Sequence, residues 1–135
     1  MFVEAAREQA PSPHKHGGYE RLLAACKALA PVRMAVVHPC SMEALEAALE
    51  ARDNALIVPV LVGPEARMRA LAIQGGLDLA GIEIVATEHS HASAAAAVAL
   101  ARNGRVAALM KGVLHTAELL HAGLATQTGM RQALP

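Results

Sequence analysis

Lys111, Gly112, His115 and Thr116 put a cation, a residue without a side chain, an imidazole and a hydroxyl within six consecutive positions. They follow an apolar run of strand length, Val106 to Met110, and lead into a helical pattern that starts near Thr116 and carries Leu119 and Leu120. A strand that hands such a set to the turn before a helix is how open α/β sheets build anion sites. Lys111 supplies positive charge, Gly112 lets a ligand approach the backbone, and the helix start offers N–H groups that have no partner inside the helix. The imidazole of His115 can orient an anion or exchange a proton. The same residues also describe an ordinary strand-to-helix turn with a surface lysine, and spacing alone does not separate the two readings.

The elements that must carry this turn are legible in the apolar patterning. Tyr19, Leu22, Leu23, Cys26 and Ala30 recur at helical spacing up to Pro31, with Cys26 expected as a small buried residue on that face. Strands are expected near residues 33–38, 56–62, 82–86 and 106–110, the second so uniformly apolar that it reads as covered on both faces. Helices alternate with them. One is capped by Ser41 with Glu43 in its first turn, one has Pro64 at its first position and runs to about Ile73, and one is alanine-rich, capped by Ser90 and ends at Asn103-Gly104. The last begins near Thr116 and ends about Gly123; no element is expected from there to Pro135.

Strands alternating with helices imply an α/β fold: an open parallel sheet of at least four strands with helices on both faces, a three-layer α/β/α arrangement. Residues 1–18 read as a tail or linker, and 19–135 as the α/β domain. Ligands in such sheets bind beyond the carboxyl ends of the strands. Those ends carry His38-Pro39-Cys40-Ser41, Gly63-Pro64, Thr87-Glu88-His89-Ser90-His91 and Lys111-Gly112-x-x-His115-Thr116, four of the seven histidines among them. The candidate substrate-binding residues are therefore Lys111, Gly112, His115, Thr116, His38 and Ser41. Ser41 is also a helix cap, and His38 also reads as a turn residue held by the backbone. Two further histidine groups, Glu88-His89-x-His91 and His14-x-His16, lack a third spaced ligand, so no metal site is expected.

Met110-Lys111-Gly112-x-x-His115-Thr116-x-Glu118-Leu119 resembles the signature of the phosphate acetyl/butyryl transferase family, the phosphotransacylases. Ala35-Val36-Val37-His38-Pro39-Cys40 is similar to the family's first strand, and Ile57-Val58-Pro59-Val60-Leu61-Val62-Gly63-Pro64 to its second. Ser90-His91-Ala92-x-Ala94, followed by Val98-x-Leu100, resembles the helix before the signature, and the similarity runs in order from about Tyr19 to Leu120. The resemblance implies acyl transfer: acyl-CoA plus inorganic phosphate gives acyl phosphate plus CoA, with coenzyme A as a substrate and no other cofactor. Phosphate or the CoA thiolate would attack an acyl carbonyl, so the site must stabilise a tetrahedral oxyanion. The family's catalytic unit has two domains with a cleft between them. The chain thus corresponds to an N-terminal portion with the second domain absent, and the catalytic base is expected in that domain, so no catalytic residue is assigned here. Ala117 stands where the family more often has an aspartate, and residues from Gly123 onward depart from its pattern.

Composition bounds the alternatives. The 135 residues carry a formal net charge of zero with only two aromatics, Phe2 and Tyr19, which gives no footprint for nucleic acid or an anionic membrane. Cys26 and Cys40 fit neither a disulfide framework nor a zinc site and suit a reducing cytosol; a cytoplasmic protein is expected. Apolar surface that a second domain would cover makes a homo-oligomer the expected assembly. The rival reading is a non-catalytic ligand-binding or interaction domain derived from the same family. An unrelated α/β oxidoreductase is disfavoured by the absence of a G-x-G-x-x-G after any strand.

Overall fold

The computed structural model of the protein describes residues 13–125; the rest of the expected tail, residues 1–12, and the stretch 126–135 lie outside the described residues, as do the side chains of His14, His16 and Cys26. The chain divides into two units at Ala30–Pro31. The first contains helix α1, Pro13–Lys27. Its start corrects the linker expectation for 13–18: Pro13 takes the first helical position, where a missing N–H costs nothing, and Gly17 and Gly18 lie within the helix. Tyr19 and Leu22, expected on a buried face, are 54% and 62% exposed. Among the described residues, α1 is the only element of its unit.

The second unit alternates strands and helices: β1 Val32–Val37, α2 Met42–Asp53, β2 Ile57–Gly63, α3 Glu65–Gly75, β3 Glu83–Ala86, α4 Ser90–Arg102, β4 Ala108–Lys111 and α5 Thr116–Leu124. The four strands form one sheet in the order β3-β2-β1-β4, every pair parallel. The expected fold class holds, and the strand order, which periodicity does not encode, follows from which face each crossover helix covers. Even-numbered Val36 of β1 and Leu61 of β2 face a core with Leu45, Ala48 and Leu49 of α2 and Met68 and Ala72 of α3. Ala35 and Val37 of β1, with Val60 and Val62 of β2, face a second core with Ala94 and Ala97 of α4, edged by Leu119 and Ala122 of α5. Both faces are thus buried over Ala35–Val37 of β1 and Pro59–Gly63 of β2, which is why these segments are apolar, while Val32, Arg33 and Val58 nearer the strand starts are exposed.

Two details explain the register. In β2 the carbonyls of Leu56 and Val62 accept from β1, while that of Gly63 accepts from Thr87. Pro59, an odd-numbered position, therefore turns its missing N–H toward β3, whose ladder begins only at Val60 opposite Glu83. The alanines of α4 let its axis come close to the sheet, and Ser93, Ala94, Ala97 and Val98 form its buried stripe.

Element ends differ from expectation by a residue or two. Pro64 is the N-cap of α3 and not its first helical residue; Gly123 lies within the last turn of α5; Lys111 closes β4, paired with Val37, where a strand ending at Met110 was expected. Ser41 caps α2 as expected, its hydroxyl accepting from the Ala44 N–H at 3.1 Å. Ser90 does not cap α4. His89 does, its Nδ1 accepting from the Ala92 N–H at 3.2 Å, and Ser90 is the first residue of the helix.

Candidate functional site

The strand order puts a topological switch between β1 and β4. The chain leaves β1 through α2 toward β2 on one face, and leaves β4 through α5 onto the other. Loops that part in opposite directions open a crevice at the carboxyl ends of the two strands. A pocket of about 400 Å³ lies there, lined by His38, Ser90, Lys111, Gly112, Val113, Leu114, His115 and Glu118.

His38 is the residue that the fold holds most firmly. It stands one step past β1 in the left-handed region, φ 56°, and is 8% exposed. Its backbone closes the crevice floor, accepting from the Val113 and Cys40 N–H groups and donating to the Val62 carbonyl. Its Nδ1 lies 2.9 Å from the Ser93 hydroxyl, which is 2.7 Å from the Thr87 hydroxyl and 3.0 Å from the His89 carbonyl. A carbonyl can only accept; in the arrangement that satisfies all three contacts at once, the Ser93 proton goes to His89 while His38 Nδ1–H and Thr87 donate to Ser93. That arrangement corresponds to the neutral His38 tautomer with its lone pair on Nε2. Burial, then the nearby Arg67 charge, holds its pKa below the usual 6.5.

Gly112 lines the pocket and is also needed for packing. A β-carbon there would fall 2.5 Å from the Val37 oxygen, 2.6 Å from the His38 oxygen and 2.8 Å from the His38 carbonyl carbon. The close approach is that of the neighbouring β1 backbone, and Gly112 cements the two strand ends by donating its N–H to Val37. The backbone also offers an anion less than the sequence suggests. The N–H groups of Val113, Leu114 and His115 are taken by the His38 carbonyl, the Gly112 carbonyl and the Glu118 carboxylate. Positive charge in the pocket comes from Lys111, which is exposed at the mouth and whose ammonium, among the described residues, lies 3.4 Å from the Gly112 carbonyl.

Glu118 is the residue that sequence reasoning left out of the site. Its carboxylate accepts from the Ser90 hydroxyl at 2.7 Å and the His115 N–H at 3.0 Å, and lies 3.2 Å from His91 Nε2. Those bonds, Ser90 first, hold its pKa below the ordinary value. It ties the start of α4 to the start of α5, and its position three residues after the N-cap His115 is the capping-box spacing that could have flagged it. Ser93 left a fainter trace, a lone hydroxyl on an alanine face. Arg67, exposed in the first turn of α3, acts electrostatically on both His38 and Cys40 and had no sequence signal.

Of the six candidates, then, His38, Lys111, Gly112 and His115 converge on one pocket. Ser41 and Thr116 are not among its lining residues: Ser41 caps α2, and Thr116 is the exposed first residue of α5. Among the described residues no three His, Cys, Asp or Glu side chains group as a metal site. Cys40 is buried, which raises its thiol pKa and makes it a poor nucleophile. No helix of the described residues is long and apolar enough to cross a membrane.

No protein-family model matches the chain. It is 50% identical over 119 residues to a phosphate acetyltransferase of Rhizobium meliloti, covering 88% of this chain and 38% of that protein. It is 30% identical over 113 residues to a phosphate butyryltransferase of Clostridium beijerinckii, covering 84% and 37%. Among solved structures, the EutD phosphotransacetylase from Staphylococcus aureus superposes with a TM-score of 0.62 over 78% of this chain and 41% of that one, at 16% identity, a likeness of fold. The chain spans between a third and two fifths of the length of these relatives.

Proposed function

Because the chain belongs to the phosphate acetyltransferase and phosphate butyryltransferase family, we propose that it is the N-terminal portion of a phosphate acyltransferase and supplies the phosphate-facing side of its site. The reaction is acyl-CoA plus phosphate giving acyl phosphate plus CoA. The observation that carries this reading is the convergence of His38, Lys111, Gly112 and His115 on one crevice at the β1–β4 switch. In that crevice Lys111 neutralises an anionic oxygen of phosphate or of the departing acyl phosphate. Gly112 and His38 fix the floor against which the anion sits, and the Glu118–Ser90 bond keeps the two helix starts from spreading. The chemistry also needs a base and a placed CoA thiol.

A chimera tests it: this chain replaces the matching segment of the Rhizobium meliloti relative, and free CoA released from acetyl-CoA and phosphate is followed with a thiol reagent. Turnover near that of the parent supports the reading; a folded, inactive chimera contradicts it. The rival, a ligand-binding domain without turnover, predicts the inactive chimera.

A further inference from the structure

The pocket is richer in acceptors than a plain anion site should be. His38 is more than nine-tenths buried, lines the pocket and sets Nδ1 2.9 Å from the Ser93 hydroxyl; with the proton on Nδ1, the rest of its hydrogen-bonding capacity is the lone pair on Nε2. That nitrogen has no partner among the described residues. Glu118 adds a carboxylate to the same wall, and three backbone N–H groups that could have faced an anion are already bonded. Lys111 attracts negative charge, yet a fully deprotonated anion would set its oxygens against the Nε2 lone pair and the carboxylate. An anion that keeps one O–H satisfies both demands: an ionised oxygen toward Lys111 and a proton toward His38.

Resting on the phosphate reading above, we propose that His38 makes this pocket select a protonated oxyanion, phosphate over sulfate, by accepting the ligand's O–H at Nε2. Phosphate near neutral pH carries at least one O–H, whereas sulfate, similar in size and shape, carries none. A site built to bond a ligand hydroxyl rejects the analogue lacking it because its own buried group is left unpaired. Ser93 is the positioning residue: it fixes which nitrogen holds the proton. The left-handed backbone at His38 fits the same purpose, since it sets the ring against Ser93 at a conformation that a β-substituted residue adopts only when its surroundings hold it there.

The test uses the chain itself with inorganic phosphate and sulfate as probes, at matched ionic strength. Long-range proton–nitrogen NMR reads the His38 tautomer, and titration reads both affinities. The expected result is an Nδ1–H tautomer and phosphate binding tighter than sulfate by about tenfold or more, a modest figure because the pocket is open. His38→Asn, which tolerates the left-handed backbone, and Ser93→Ala should each shrink that preference to about threefold or less, while Lys111→Ala weakens both anions together. An Nε2–H tautomer, equal binding of the two anions, or a preference untouched by both His38→Asn and Ser93→Ala would overturn the selectivity while leaving the phosphate reading intact. Failure of phosphate to bind at all, with the tautomer as assigned, would overturn the phosphate reading and the selectivity with it.

Discussion

The Val37 carbonyl oxygen lies 2.5 Å from where a β-carbon on Gly112 would stand. The contact fixes the distance between the ends of β1 and β4, and so the width of the crevice. Both atoms it meets on His38 are backbone and belong to a segment hydrogen-bonded on each side, so nothing can rotate away.

Gly112→Ala is therefore expected to destabilise the chain by about 2–3 kcal/mol, as overpacking against fixed atoms does, even though the residue is at the surface of the sheet's end. Urea unfolding measures it. A change below about 0.5 kcal/mol, the usual surface value, would mean that the strand ends yield.

Ser93→Ala removes the acceptor of His38 Nδ1–H and of the Thr87 hydroxyl inside the α4 interface. About 2 kcal/mol should be lost, in the range for buried groups stranded without partners. Ser93→Thr keeps the hydroxyl and so tests whether the bond or the small volume matters; its extra methyl must fit at a position with no exposure.

Lys111→Ala in the active chimera should lower kcat/KM for phosphate by about 2–4 kcal/mol of transition-state stabilisation, with stability unchanged because the side chain is exposed. Unaltered kinetics would reduce Lys111 to a surface lysine.

Stability should fall with acid in two windows. Above pH 6.5 His38 is neutral in both folded and unfolded chains. Below it the unfolded chain takes up the proton more readily, because the folded pKa is lowered, and stability declines toward that folded value. Glu118 adds stability above 4.5, lost as the pH falls through its own lowered value. Urea midpoints at about pH 7.5 and about pH 5.5 isolate the first window, and His38→Asn should narrow the difference between them.

The sheet, its crossover helices and the rim were legible because burial on two faces writes itself into sequence as apolar runs, and because Ser41 and Pro64 mark helix starts. The strand order was not, since no periodicity says on which side of β1 the strand after α4 returns. Lys111 and His115 were found by residue type and spacing. Glu118, Ser90 and Ser93 were passed over because their roles depend on contacts across 28 residues for Ser90 with Glu118 and 55 for His38 with Ser93. Gly112 is also tight against the adjacent strand, a contact that only pairing β4 with β1 reveals.

The account turns on an anion pocket at the β1–β4 switch, and a phosphate titration of the chain followed by amide NMR tests it most directly. The expected result is saturable shifts at His38, Lys111, Gly112, Val113 and His115, moved to higher phosphate concentration by Lys111→Ala. Shifts confined to other ends of the sheet, or none at any phosphate concentration, would contradict it.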